Sequence, residues 1–343
     1  MKRMKKYIGM VFLALAWVGI SCSENEDSLP DEPLFSDLPI SVEVDGWEPI
    51  TSSRTTLFGE SNFFDETKEG GNFTLYAHIT GTDNTYISGT RVWCRPADKQ
   101  WFFRSGEDLI TYYWPNNGAL NFFAYMPYKD YSGGKNHYVS NIQYSKANGQ
   151  TFSCALPETN GTVTNNIVTE TDDVEFIYAY AENLSKQNVN LSFKHPFALI
   201  QFKLATGSYR MTVKEIKLGR VDLQGTFSTL KNGSWTSSND NTGYTAYIYK
   251  RIPSDAANYN TVFGGPFLMM PQSLDGVTLT LVAERTEGNT PIEKSVNLSG
   301  TSWLPGKIYT YTLLYGDNNE EIYYNVAVEP WEIESYRNDV DVE

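Results

Sequence analysis

The chain has 343 residues and a formal net charge of −14, from 27 Lys and Arg against 41 Asp and Glu. This acidity disfavours nucleic acids and anionic lipid surfaces as partners, because both bind a positively charged face. Tyr and Phe are abundant, with 23 and 18 residues, and long stretches rich in Leu, Ala, Glu and Lys are absent. The composition therefore favours an all-β protein.

The first 21 residues have the layout of a secretory signal. Four basic residues come first, namely Lys2, Arg3, Lys5 and Lys6. An apolar run follows at 7–20, and its length of about 14 residues is short for a membrane-spanning helix, which needs roughly 20. Small residues then precede Cys22, where a lipoprotein signal peptidase would cut. We predict a lipoprotein signal at 1–21 and a Cys22 that carries a diacylglycerol thioether and an acylated amine. The alternative is a secreted protein cut near Ser21.

Residues 22–35 form an acidic segment with little apolar content. Such a segment cannot bury enough surface to offset its ordering entropy, so we expect a flexible tether. An acidic run directly after a lipidated cysteine resembles the surface-export signal of outer-membrane lipoproteins. The lipid would then anchor the protein on the outside of the outer membrane.

Alternation of apolar and polar residues with period two predicts strands along the rest of the chain. In chain order the predicted strands are 72–80, 120–126, 189–193, 198–205, 211–218, 277–283, 307–315 and 322–328. Residues 129–172 are polar and aperiodic, which indicates long loops, and 177–185 favours a short helix or turn. Many short strands separated by Gly and Asn turn signals are typical of antiparallel β-sandwiches.

About 320 residues beyond the signal exceed what one hydrophobic core normally supports, so two domains are expected. A new alternating run begins after Ser185. We predict an N-terminal β-sandwich at 36–185 and a C-terminal β-sandwich at 186–343, each transthyretin-like or immunoglobulin-like, after the signal and the tether.

Beyond Cys22 the chain has two cysteines, Cys94 and Cys154. An even pair in an exported protein can form a disulfide, and a loop of this length would add a few kcal/mol of stability. Two buried thiols are the alternative, and the sequence leaves both open.

Polar groups with catalytic potential do not form a recognisable motif, so we predict no catalytic residues, no metal and no cofactor. His195 lies in an apolar setting, so we predict a hydrogen-bonded core residue. His78 falls on the outward face of a predicted strand, so we predict a surface residue. We interpret the acidic group as a solvated edge, and its members are Glu170, Asp172, Asp173 and Glu175. Trp93, Trp101 and Trp114 could stack on sugars, but a sandwich core also needs large residues.

Several segments together resemble the fimbrillin family, the subunits of type V pili of gut and oral anaerobes. These segments are the lipoprotein start with Ser53-Arg54-Thr55, the stretch YYWPNNGALNFFAYMPY at 112–128, LSFKHPFALIQF at 191–202, and GPFLMMPQ at 265–272 followed by WLPGKIYTY at 303–311. All four occur in the family's order, and they span most of the chain.

The resemblance implies two transthyretin-like sandwiches, a structural role in adhesive fibres and assembly by strand exchange. A surface protease would cut after an arginine near the start of the first domain, and the candidate bond is Arg54-Thr55. The strand lost would carry Ile40, Val42 and Val44. A strand from a neighbouring subunit would fill the exposed groove, and the candidate donor residues are Ile322, Tyr324, Val326 and Val328.

Two alternatives stay open beside a polymerising, non-enzymatic subunit. Pro330 cannot donate to a ladder, so the last strand could pair within its own domain, which would make the protein a fimbrial anchor or tip subunit. The other alternative is a monomeric glycan-binding lipoprotein of the cell surface. The expected partners are other fimbrial subunits, a surface glycan or protein, and outer-membrane lipid through Cys22, but no nucleic acid.

Overall fold

The protein is described here by a computed structural model that covers residues 35–44, 72–95, 98, 100–129, 138–170, 175–205, 208, 210–230, 233–252, 262–298, 300–315 and 321–331. All of these residues belong to one compact unit that begins at Phe35. They form 26 β-strands and no α-helix. The predicted all-β sandwich class is therefore confirmed.

The first large sheet has six strands, all paired antiparallel. Its strands in spatial order are β13 (Ile177–Leu184), β8 (Leu120–Met126), β3 (Asn72–Ile79), β4 (Thr85–Arg95), β5 (Gln100–Ser105) and β6 (Asp108–Ile110). Two short two-stranded pairings involve the N-terminal strands. β1 (Phe35–Pro39) pairs antiparallel with β7 (Tyr113–Pro115), and β2 (Val42–Val44) pairs parallel with β14 (Val189–Leu191).

A four-stranded sheet combines two hairpins that are far apart in sequence. Its strands in spatial order are β18 (Ser234–Ser237), β17 (Gln224–Ser228), β10 (Gly149–Ala155) and β9 (Val139–Ser145). A separate hairpin consists of β11 (Gly161–Thr164) and β12 (Ile167–Glu170). The predicted long loops at 129–172 are therefore wrong over these four strands. β10 pairs with the distant β17, which local periodicity does not reveal, whereas β11 and β12 pair with each other.

Two further four-stranded sheets share one core. One has the order β20 (Val262–Met269), β15 (Ala198–Leu204), β25 (Lys307–Tyr315) and β26 (Ile322–Pro330). The other has the order β19 (Tyr244–Ile252), β16 (Met211–Gly219), β22 (Thr278–Arg285) and β23 (Pro291–Asn297). A short pair, β21 (Gln272–Ser273) with β24 (Ser302–Trp303), completes the set. β15 and β25 pair in parallel, which their wide separation in sequence allows.

Buried apolar residues form two clusters. The first, here called core 1, draws its members from residues 40–193, and the second, core 2, draws its members from residues 123–322. The six-stranded sheet contributes to both, since Phe122 and Ala124 of β8 lie in core 1 while Phe123 and Tyr125 lie in core 2. A continuous apolar run such as LNFFAYM is typical of a strand buried on both faces.

The predicted strands agree closely with the observed ones, but the predicted short helix or turn at 177–185 is wrong, because β13 occupies this segment. Ile177 and Ala179 are fully buried in core 1, and this packing outweighs the helix propensity of Ala and Glu. The domain boundary near 185 stays a prediction. Residues from both sides of it share core 2, as in the contact between the Phe152 and Phe227 rings, whose centroids are 4.8 Å apart.

Candidate assembly site

The N-terminal segment packs its apolar side chains into core 1. Ile40 and Val42 are only 4% and 5% exposed, and Val44 is half-buried against the same cluster. Between them Ser41 and Glu43 are exposed, as alternation in an extended segment requires. The three residues that the sequence assigned to a removable strand therefore lie together and face one core.

Few hydrogen bonds hold this segment to the rest of the fold. The Ile40 amide donates to the Tyr112 carbonyl at 2.7 Å, and the Val189 amide donates to the Ser41 carbonyl at 2.9 Å. β2 and β14 then pair in parallel over three residues, from Val42 opposite Val189. The segment is thus attached chiefly through two buried side chains and two short pairings, and it is not part of a long ladder.

The candidate donor residues lie in β26, an edge strand of the β20-β15-β25-β26 sheet. Ile322 is 4% exposed, Tyr324 and Val326 are half-buried against core 2, and Val328 is 52% exposed. The predicted alternation is therefore present, but it weakens toward the C-terminal end of the strand, where Val328 faces solvent.

β26 pairs within its own sheet over its whole length, antiparallel to β25, from Ile322 opposite Tyr315 to Pro330 opposite Lys307. Pro330 stands at the last position of an edge strand, where the missing N–H interrupts no further bond. The intramolecular alternative that the sequence left open is the arrangement seen in the structure.

A buried cluster holds the end of β26. The ring of Trp331 stacks on the ring of His195, with centroids 3.8 Å apart and planes 10° from parallel. His195 Nδ1 in turn hydrogen-bonds Glu175 Oε1, and the two residues are 7% and 1% exposed. The Trp331 amide donates to the Gly306 carbonyl at 2.9 Å. These contacts fasten the last described residue to the turn that precedes β25.

This cluster confirms one sequence prediction and corrects another. His195 is the hydrogen-bonded core histidine that was expected. Glu175 is not part of a solvated edge, because it lies beside Phe176 at the start of a doubly buried strand and its carboxyl group contacts His195. The sequence also did not identify Trp331 as an anchor. A lone tryptophan directly after a strand-ending proline was the available signal.

His78 differs from expectation, whereas the tryptophans agree with their alternative as core residues. His78 is 3% exposed, so the prediction of a surface residue is wrong. Its face of β3 is covered by the ring of Tyr144 from β9, whose centroid lies 3.7 Å from that of His78. Trp114 is 1% exposed and belongs to core 1, and Trp93 and Trp101 are half-buried.

The two cysteines are buried thiols in the structure and not a disulfide. Cys94 lies on β4 of the six-stranded sheet, and Cys154 lies on β10 in core 2. They belong to strands of different sheets, so pairing of the backbone does not bring them together. Burial raises the pKa of the Cys154 thiol, which keeps it protonated.

Three of the predicted site residues, Cys22, Arg54 and Thr55, lie outside the described residues. Within the described part of the chain, no cluster of three or more His, Cys, Asp or Glu side chains is arranged to hold a metal ion. Over the same residues, no helix has the length and apolar character needed to cross a membrane.

Comparison with known proteins gives a consistent result. The model of the Fimbrillin-like family matches residues 62–331. A fimbrial protein from Bacteroides vulgatus has a similar structure at 15% identity, with a TM-score of 0.54, over 86% of this chain and 100% of that chain. A proposed cell adhesion protein from Bacteroides ovatus is similar at 13% identity, with a TM-score of 0.50, over 88% and 99% of the two chains. No curated protein sequence matches the chain significantly.

Proposed function

Because this chain belongs to the Fimbrillin-like family, we propose that it is a structural and adhesive subunit of surface fimbriae, assembled by strand exchange after proteolytic removal of its first strand. One observation carries this proposal. Ile40 and Val42 fill core 1 from a short segment that few hydrogen bonds attach. Removing such a segment would open an apolar groove without dismantling the sheets around it.

Hydrolysis of the Arg54-Thr55 bond is the proposed trigger. Residues 35–44 precede this bond in the chain, and β3 follows it. After the cut, β1 and β2 would be held only by non-covalent contacts and could leave together with a lipidated Cys22. The groove would then be lined by the core 1 residues that Ile40 and Val42 now cover, including Val189 and Leu191 of β14.

A strand from a neighbouring subunit would refill the groove by β-augmentation. β26 is the proposed donor, since Ile322, Tyr324 and Val326 share one face. Burying an apolar side chain contributes about 1.5–3 kcal/mol, and each backbone hydrogen bond adds roughly 0.5–1.5 kcal/mol net. A few such residues suffice for a stable joint between subunits.

A terminal anchor or tip subunit is the second candidate, and a specific observation favours it. β26 pairs along its full length with β25, and Trp331 is stacked on His195. A subunit that keeps β26 in its own sheet could accept a strand but not donate one. After cleavage such a subunit would lose Cys22 and stand at a free end of the fibre. An anchor would instead keep Cys22 and its N-terminal segment, and it could join the fibre only by donating β26.

Both candidates are non-enzymatic, and both imply a place on the cell surface. The signal at 1–21 would direct export, and the lipid on Cys22 would anchor the exported protein. The fimbrial partners would be copies of this chain or related subunits. Adhesion to a surface glycan or protein is compatible with either candidate, because it needs a recognition site and not a free strand.

An arginine-specific protease tests the proposal. The purified protein is treated with the protease, and its mass and oligomeric state are followed by mass spectrometry and size-exclusion chromatography. Cleavage at Arg54 is expected to release residues 35–44 and to yield multimers, and the Arg54→Ala variant is expected to stay monomeric under the same treatment. Quantitative cleavage and release without any multimer, alone or with other subunits, would rule out the strand-accepting mechanism.

The two candidates separate in a second experiment. Trp331→Ala removes the ring that stacks on His195 and should free β26. If the protein is a polymerising subunit, cleaved Trp331→Ala protein will form multimers at least as readily as the cleaved parent. If it is a terminal subunit, the cleaved parent will stop at complexes with one other subunit.

A further inference from the structure

A short extended stretch of chain joins the groove of the N-terminal segment to the cluster that holds β26. We call residues 189–195 the connecting segment. Its residues alternate strictly between buried and exposed, and the buried ones are Val189, Leu191, Phe193 and His195. An extended chain rises about 3.3 Å per residue, so roughly 13 Å of chain with one inward face separates Leu191 in the groove from His195 in the cluster.

The beginning of the connecting segment depends on β2. Among the described strands, β2 is the only ladder partner of β14. The Val189 amide donates to the Ser41 carbonyl, and Asn188 Nδ2 donates to Glu43 Oε1, both at 2.9 Å. When residues 35–44 leave, β14 therefore loses its whole ladder and both of these hydrogen bonds.

The end of the connecting segment positions His195 for its stack on Trp331. The two ring centroids are 3.8 Å apart, and His195 Nδ1 hydrogen-bonds the buried Glu175 carboxyl group. We call these contacts of Trp331, His195 and Glu175 the latch. Van der Waals attraction falls by about a quarter to a half over a gap of roughly 0.5–1 Å, so a small shift of His195 weakens the stack.

Two hydrogen bonds attach the connecting segment to β13 just before the latch. The Lys194 amide donates to the Tyr178 carbonyl at 2.7 Å, and the Tyr178 amide donates to the Lys194 carbonyl at 3.1 Å. Phe193 packs edge-on against Phe73 in core 1, with centroids 5.4 Å apart. These contacts let residues 189–195 move as one unit, or they hold His195 in place when β14 is freed.

We infer that the N-terminal segment and β26 are coupled through the connecting segment. Departure of residues 35–44 loosens residues 189–195, shifts His195 and releases Trp331 from the latch. The inference rests on the proposed function, because it concerns the order of the two strand movements. A subunit that still has its first strand keeps β26 in its own sheet, so it does not donate a strand before its own groove has opened.

The test displaces the N-terminal segment in the uncleaved chain. Ile40→Asp/Val42→Asp, the displacing variant, introduces two carboxylates at side chains that are at least 95% buried, and unpaired charges do not stay in such a core. Leu38→Asp/Ser41→Asp adds the same charge at exposed positions of the same segment and is the matched control. Val42→Asp alone is the milder variant if the displacing variant does not fold.

Two measurements follow the latch. The His195 ring signals are followed by NMR, which is practical because the chain has three histidines. The stacked indole ring shields these protons, so loss of the stack should move the signals downfield. Amide exchange is measured in β26, at Val189, which reports displacement of the segment, and at Leu281 of β22 as the reference.

In the displacing variant, exchange should accelerate by roughly tenfold or more both at Val189 and in β26. The His195 signals should move downfield, and exchange at Leu281 should not change. The matched control should behave as the parent does. Exchange in β26 is already faster in Trp331→Ala, so adding the displacing substitutions to it should accelerate β26 by less than about twofold further, because the route through the stack is gone.

Three results would overturn the inference. One is fast exchange at Val189 with β26 and the His195 signals unchanged, which means that the bonds between Lys194 and Tyr178 hold His195 in place. The second is equal acceleration of β26 with and without Trp331. The third is acceleration at Leu281 as large as in β26, which means global unfolding. None of them bears on cleavage at Arg54 or on multimer formation, which the protease experiment tests separately.

Discussion

Shortening Ile40 and Val42 to alanine should release the N-terminal segment while leaving the remaining fold in place. Both side chains are at least 95% buried in core 1. The double substitution removes about five methyl or methylene groups, and at roughly 0.8 kcal/mol each this costs about 4 kcal/mol. Since about 1.4 kcal/mol is a tenfold change in an equilibrium constant, local opening of the segment should become nearly a thousandfold more frequent.

Amide hydrogen exchange measures this opening directly. The Val189 amide is bonded to the Ser41 carbonyl, so it is exposed when the segment leaves, whereas the Leu281 amide lies in β22 of a different sheet. Exchange at Val189 should accelerate by up to that factor, and exchange at Leu281 should not change. Leu38→Ala, in a residue 44% exposed on the same segment, is the control and should stay within about 0.5 kcal/mol of the parent.

The reasoning is refuted if Val189 and Leu281 accelerate equally. The segment would then be an integral part of the cooperative fold, and its removal would unfold the protein instead of opening a groove. Equal effects of Leu38→Ala and the double substitution would also contradict it, because burial would not be what holds the segment.

Three further outcomes are expected. Trp331→Ala should lower the stability of β26 by about 1–2 kcal/mol, seen as faster exchange in β26 alone, and Tyr323→Ala should not reproduce this. Cys94 and Cys154 should resist iodoacetamide in the native protein and both react in denaturant without a reductant, because burial protects the thiols; a mass unchanged until reduction would instead indicate a disulfide. Burial lowers the pKa of His78 below its usual value of about 6.5. As the pH falls below about 6.5, His78 of the unfolded chain takes up its proton before His78 of the native protein does, so Tm should fall. The fall should be smaller in His78→Gln, and equal slopes would exclude this contribution.

Local patterns located several strands well. β16 and β22 largely alternate between buried and half-buried residues, and the predicted bounds of β16, β22 and β25 are within two residues of the observed ones. The pattern could not specify partners, since pairing depends on contacts between distant residues. β10 was missed for this reason, because its partner β17 lies more than 60 residues further along the chain, and β9 was missed with it because β9 pairs with β10.

The same limit explains the errors at single residues. His78 and Glu175 are polar residues in or beside β3 and β13, and a period-two pattern assigns polar residues to solvent. Both strands, however, pack against core 1 on one face and against core 2 on the other face. Burial of these polar groups follows from two packed layers, which the sequence of either strand alone does not indicate.

The first and the last strands among the described residues are held in physically different ways, and this difference bears on the proposed assembly. The N-terminal segment depends on two buried side chains and short pairings, whereas β26 has a nine-residue ladder and a stacked Trp331. At roughly 0.5–1.5 kcal/mol per hydrogen bond, withdrawing β26 costs more than withdrawing β2. In the proposed exchange, strand acceptance would therefore be the easier half, and donation by β26 would require that the Trp331 contact be broken first or that the strand be replaced in its own sheet.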